Sequence, residues 1–251
     1  MTLAIDQFAY NSDNYGVLLH DGESGQTALV DAGDGDAALT ALDSSGWELT
    51  QIWITHHHGD HTAGLQQLVA ETNAEVFGPA GVAGVEQVMA DGGSFDFAGQ
   101  TVDVLATPGH TLDMLNYHLP RERLVFTGDT LFAMGCGRLF EGDAAMMWAS
   151  LTRLMELGDD TIIYCGHEYT AANAAFALSV DPDNVALQRR AEAVAELRIA
   201  GAPTVPTIMA LEKETNPFLR AADAAIRGNL GMPSASDVDV FAEIRRRKDS
   251  F

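Results

Sequence analysis

The sequence predicts an α/β fold with a helical tail, on three observations. Short β-branched and apolar runs alternate with helical patterns along the first two thirds of the chain. Strand signals cease from about Ala171 onward. Metal-ligating side chains follow directly on the ends of several predicted strands, where α/β proteins concentrate their chemistry.

The predicted strands are Thr27–Asp31, Gln51–Thr55, Thr101–Ala106, Leu124–Thr127 and Thr161–Cys165. Helical spacing predicts Ala63–Glu71, Val82–Ala90 and Asp143–Leu157. In the last of these Asp143 is placed to cap the N-terminus. Met147, Leu151, Leu154 and Met155 share one face, and Gly158 stops the run. In the tail, Ala171–Leu178, Val185–Ile199, Ile208–Glu214 and Phe218–Ile226 are expected as helices, separated by Pro182, Pro203, Pro206 and Pro217. The expected organisation is therefore an α/β catalytic domain over residues 1–172 and a helical domain over 173–251.

Composition narrows the function. The formal charge of −22, with no Lys or Arg before Arg121, disfavours nucleic acid and anionic membranes as partners. No apolar run approaches the roughly 18 residues of a membrane span, and the N-terminus lacks the basic-then-apolar pattern of a secretory signal. Two cysteines, Cys136 and Cys165, form no disulfide framework and suit a reducing cytoplasm. The basic residues crowd instead at the C-terminus, as Arg245, Arg246, Arg247 and Lys248, a local receiver for an anionic small molecule.

The chemistry is concentrated in Thr55-His56-His57-His58-Gly59-Asp60-His61. Imidazole nitrogens and a carboxylate together suit Zn²⁺, Fe²⁺ or Mn²⁺. His56 and His58, two apart in an extended turn, can converge on one ion, while Asp60 and His61 face a second position. Three more donors follow strands in the same way. They are His110 after Thr107-Pro108-Gly109, Asp129 in Thr127-Gly128-Asp129-Thr130, and His167 after Cys165-Gly166. Any one of them alone is more simply a structural residue; it is their coincidence at strand ends that points to a two-metal site.

The pattern HxHxDH followed by His, Asp and His resembles the metallo-β-lactamase superfamily, which implies an αββα sandwich. By that resemblance His56, His58 and His110 hold one ion, Asp60, His61 and His167 the other, and Asp129 bridges them. His57 is expected to point away from the ions, and His20 and His118 to lie in surface or turn positions. Three further stretches, Phe126–Gly142, Tyr164–Thr170 and the terminal Ile244–Phe251, are similar to glyoxalase II, the hydroxyacylglutathione hydrolase family. The resemblance covers nearly the whole chain. It implies hydrolysis of S-D-lactoylglutathione or a related 2-hydroxyacyl thioester to a 2-hydroxy acid and glutathione, a step of methylglyoxal detoxification. It also implies glutathione contacts from Arg138, Phe140, Tyr169, Arg245 and Lys248.

Mechanistically, two divalent ions, zinc first with iron or manganese also accommodated, would acidify a bridging water, with Asp60 orienting the resulting hydroxide and Asp129 joining the ions. A monomer is expected. Three departures from the family pattern stand out: Phe140 in place of a frequent Tyr, Leu65 in place of Asn, and Thr111-Leu112-Asp113-Met114 where Thr-x-Gly-His is usual. Asp113 either adds negative charge near the metals or forms different contacts around them. The alternatives on the same scaffold are another dinuclear hydrolase, such as a lactonase or other thioesterase, and a persulfide dioxygenase with a single iron. A lactonase gives no reason for Arg138, Tyr169 and the Arg245–Lys248 pair, and the dioxygenase needs an open mononuclear site, so counting the metals separates it.

Overall fold

The computed structural model describes residues 3–251. The chain divides into two compact units, Met1–Ala106 with Asp113–Gly128, and Thr107–Leu112 with Asp129–Phe251.

In the first unit, strands β1 (Ala4–Tyr10), β2 (Asn14–His20) and β3 (Thr27–Val30) form an antiparallel meander. Helix α1 (Gly35–Ser45) then carries the chain to β4 (Gln51–Trp53), which lies parallel to β3. Asp34 caps α1 by accepting from the Ala37 N–H, and Gly46 ends it in a left-handed conformation at φ 71°. Two short helices, α2 (Gly59–Thr62) and α3 (Leu65–Thr72), precede β5 (Glu75–Gly78) and β6 (Gln87–Val88), both in parallel register. Parallel neighbours need such crossovers, and the helices bury one face of the sheet. Leu18, Leu29, Ile52, Ile54 and Val76 pack there against Ala38, Ala41 and Leu42 of α1 and Leu65 and Leu68 of α3.

Strands β7 (Ser94–Phe97), β8 (Gln100–Ala106), β9 (Leu115–Leu119) and β10 (Leu124–Gly128) pair antiparallel in chain order. The two layers meet on Trp53, fully buried, with Phe95, Phe97, Tyr117 and Phe126 at 5.3, 5.3, 5.7 and 6.2 Å between centroids. The Trp53 indole N–H donates to Gln51 Oε1 at 3.0 Å, so its polar edge is satisfied inside the sandwich.

The second unit opens with the hairpin β11 (Leu131–Phe132) and β12 (Gly135–Cys136). It continues through α4 (Ala144–Met155), β13 (Ile162–Cys165), α5 (Thr170–Val180) and α6 (Val185–Ile199). It ends with β14 (Thr207–Ile208), α7 (Met209–Thr215), α8 (Ala224–Leu230) and α9 (Asp237–Asp249). Asp143 caps α4 as its sequence suggests, accepting from the Met146 N–H at 2.9 Å. Among the described residues no helix is long and apolar enough to cross a membrane.

The structure corrects several element assignments. Val82–Ala90 is not a helix: Gly81 and Gly84 sit at φ 93° and 98°, and Gln87–Val88 pairs with β5 instead. The apolar spacing of Val82, Val85 and Val88 imitates a helix face, but Gly84 at positive φ interrupts it and Gly81 bends the chain just before it. Phe218–Ile226 is likewise displaced, because Asp223 caps a helix that starts at Ala224 and runs to Leu230. The tail contains one strand, β14, paired with β13, and a terminal helix α9 absent from the expected set.

Candidate metal centre

The first four donors sit where β4 ends. Strand pairing stops at Trp53; Ile54 still donates to Phe77 O at 2.8 Å, and Thr55 N turns to the Asp31 carboxylate at 2.8 Å. His56 and His61 are fully buried, and Asp60 is partly exposed at the start of α2. Asp31 Oδ2 lies 2.8 Å from His61 Nδ1, and Asn14 Nδ2 donates to Asp60 Oδ2 at 3.1 Å. Behind them the Tyr10 hydroxyl donates to the Asp60 carbonyl at 2.8 Å. Gly33 is required here: a Cβ at this position would come within 1.8 Å of the Asp60 carbonyl oxygen.

The other three donors lie in the second unit. His110 sits in the loop after β8, Asp129 follows β10, and His167 follows β13. All three are buried. Asp129 Oδ2 stands 3.3 Å from both His110 Nε2 and His167 Nε2. Gly137 lets the hairpin approach, since a Cβ there would reach within 2.0 Å of the Asp129 carbonyl.

The donor chemistry fits divalent cations. The Arg138 carbonyl, which can only accept, lies 2.8 Å from His110 Nδ1, so that nitrogen carries the proton and Nε2 presents a lone pair. Asp31 imposes the same tautomer on His61. Lone pairs facing the Asp129 and Asp60 carboxylates are explained by a cation held in common. Two donors each about 2.1 Å from an ion at the tetrahedral angle stand roughly 3.4 Å apart. The observed separations are 3.3 Å twice, and 3.5 Å for His61 Nε2 and Asp60 Oδ2.

Among the described residues, the donors gather in two sets, one in each unit. In the first unit the His56 ring lies 4.7 Å from His58 and 4.2 Å from His61, with Asp60 beside His61; in the second His110 and His167 flank Asp129. The seven predicted donors are the members of these two sets. His57 turns to Asp113 at 3.0 Å. His20 stacks on Trp47 at 4.7 Å, and His118 is a half-buried residue of β9 whose pKa burial lowers.

Aromatic and basic side chains adjoin the donors of the second unit. Tyr169 stacks on His167 at 4.7 Å with rings 4° from parallel, and Phe140, largely exposed, meets the His110 ring edge-on at 5.2 Å. Arg138 is exposed, with its guanidinium carbon 5.8 Å from the Phe140 ring centre. Arg245 is buried: it donates to the Cys136 carbonyl at 3.0 Å and to Asp249 Oδ1 at 2.7 and 3.0 Å. Asp249 Oδ1 also lies 3.7 Å from Arg138 Nε. Lys248 donates to the Ala172 carbonyl at 2.9 Å and lies over Phe176. Burial, and then Arg245, lowers its pKa to about 8. Cys136 and Cys165 are buried free thiols, pushed up to about 11 and about 12 by burial, which makes them poor nucleophiles.

Asp31, Asn14 and Tyr10, which support these donors, stand in no motif of the sequence. Asp31, a lone acid at a strand end, carries one signal only in three dimensions, a φ of 61° that holds its carboxylate on Thr55 and His61.

Comparison with known proteins gives this arrangement its class. The metallo-beta-lactamase superfamily model matches residues 14–87 and 82–167. A structure of ETHE1 from Myxococcus xanthus superposes with a TM-score of 0.71 at 27% identity, covering 97% of this chain and 90% of that one. The BLEG-1 B3 metallo-beta-lactamase, at 20% identity and a TM-score of 0.66 over 86% of this chain and 99% of that one, shares the fold. The α/β architecture, the sandwich and the His/Asp groups are those of a divalent-metal-binding member of that superfamily. Residues 168–251 match the model described as Hydroxyacylglutathione hydrolase C-terminus. The hydroxyacylglutathione hydrolases of Rhizobium meliloti and Maricaulis maris are 55% and 53% identical, each over 99% of both chains. The chain belongs to the hydroxyacylglutathione hydrolase family.

Proposed function

We propose that the chain hydrolyses the thioester of S-2-hydroxyacylglutathione, S-D-lactoylglutathione foremost, to a 2-hydroxy acid and glutathione. The reaction is the thioester-cleaving step of methylglyoxal detoxification. The observation that carries the reading is the adjacency, within one unit, of the His110–Asp129–His167 donors to Phe140, Tyr169 and Arg138. A lactonase has no use for the basic and aromatic residues beside the donors.

His56, His58 and His110 would hold one divalent ion, Asp60, His61 and His167 a second, with Asp129 serving both; zinc is favoured, and iron or manganese suits the same donors. When bound, the ions supply a water acidified to near-neutral pKa and positive charge for the carbonyl oxygen. The chain's own contributions follow from its contacts. Asp60, steadied by Asn14, orients the attacking water. Asp31 keeps the His61 Nε2 lone pair aimed inward. The sulfur departs as glutathione thiolate without an acid, since thiols ionise near pH 8.5. Arg138, Tyr169, Arg245 and Lys248 take the glutathione moiety, with Phe140 and Tyr169 giving apolar faces beside the acyl group.

The proposal extends to the setting. Two buried free thiols suit the cytoplasm, and the proposed reaction requires one chain only. The test is the loss of thioester absorbance from S-D-lactoylglutathione, beside oxygen uptake with glutathione persulfide and opening of a simple lactone. Fast thioester loss without oxygen uptake supports the proposal. Oxygen uptake, or lactone opening as the fastest of the three, overturns it.

A further inference from the structure

The tetrapeptide Thr111-Leu112-Asp113-Met114 contains a carboxylate that the proposed ligand set leaves unused. Both oxygens of Asp113 lie 3.0 Å from His57 Nδ1. His57 is the residue between His56 and His58, whose rings stand 4.7 Å apart while its own turns to Asp113. A grip on His57 from outside therefore fixes the direction in which His56 and His58 face inward.

The contact is the end of a series. Tyr117 donates its hydroxyl to the Ile54 carbonyl at 2.6 Å, and Leu115 N–H donates to the Thr55 carbonyl at 2.8 Å. Asp113 continues the same run to His57, so residues 113–117 are laced to residues 54–57 at three successive points. On the other side, the Thr62 hydroxyl donates to the His58 carbonyl at 3.0 Å. Between these tethers the loop has no strand pairing of its own.

We propose that Asp113 is a positioning residue, its grip on His57 holding the loop that presents His56 and His58. The inference rests on the two-metal reading given above. His57 and Asp113 have side-chain exposures of 43% and 22%, and ion pairs so placed contribute little to global stability. Supporting contacts around metal ligands, by contrast, commonly change metal affinity or activity 10–100-fold.

The test compares wild type with Asp113→Ala and Asp113→Asn, each loaded with zinc. It records zinc release to a chromogenic chelator, kcat and KM, and the Tm of the metal-free protein. Asp113→Ala is expected to release zinc about 10-fold faster and to lose about 10-fold in kcat, with KM within twofold and the Tm little changed. Asp113→Asn keeps an oxygen to accept from Nδ1–H and recovers most of both losses. Wild-type release from Asp113→Ala, a raised KM with kcat intact, or loss of a third zinc equivalent would overturn the proposal. Fewer than two ions in the wild type would instead contradict the two-metal reading, and the release comparison would still decide the role of Asp113.

Discussion

Asp31 Oδ2 and His61 Nδ1 lie 2.8 Å apart with both side chains buried. The same carboxylate takes the Thr55 N–H and hydroxyl, so one residue at the end of β3 orients the loop after β4 and the first turn of α2. Asp31→Asn tests this without disturbing the backbone, because asparagine also tolerates a φ of 61°. Activity and zinc retention are expected to fall about 10-fold or more. Chelator competition and steady-state kinetics measure both, and unchanged zinc retention would remove Asp31 from the account.

A second prediction concerns stability. Glu212 is fully buried and accepts from Arg190, the Met134 N–H (2.8 Å), Thr207 Oγ1 (2.7 Å) and Asn216 Nδ2 (3.1 Å). Glu212→Ala strands the Arg190 charge, which is itself buried, and a broken buried pair costs about 3–5 kcal/mol. Urea unfolding reports the loss. A change under 1 kcal/mol would mean that water or another carboxylate reaches Arg190.

A third follows from Lys248, whose ammonium loses its proton near pH 8 because burial disfavours the charge. The group is cationic below that pH and neutral above it. If it receives a substrate carboxylate, KM rises as pH passes through about 8. Lys248→Arg, which stays charged, should flatten the rise, and Lys248→Ala should raise KM at pH 7 with kcat nearly unchanged. A KM independent of pH from 7 to 9.5 in the wild type speaks against that contact.

The seven proposed donors were legible because each stands at a strand end within a short polar motif, and periodicity locates strand ends well. Their supports were less so. Asp31 acts only because β3 lies parallel beside β4, a pairing between residues far apart in sequence. In Val82–Ala90 the valines recur at helical spacing, but Gly84 within the run takes a positive φ that breaks the helix. The basic cluster was visible, but not that Arg245 turns inward on Asp249 while Arg246 and Arg247 pair with Glu243 at the surface. That split depends on which face of α9 is buried by Phe241 and Ile244, a matter of packing that charge alone does not reveal.

Whether two metal ions carry out the hydrolysis is decided by metal content measured on the same sample as thioester hydrolysis, for wild type and Asp129→Ala. About two divalent ions per chain with rapid loss of S-D-lactoylglutathione are expected in the wild type, and loss of both metal and hydrolysis in the variant. One ion per active wild-type chain, or full hydrolysis by Asp129→Ala, would contradict the two-metal reading.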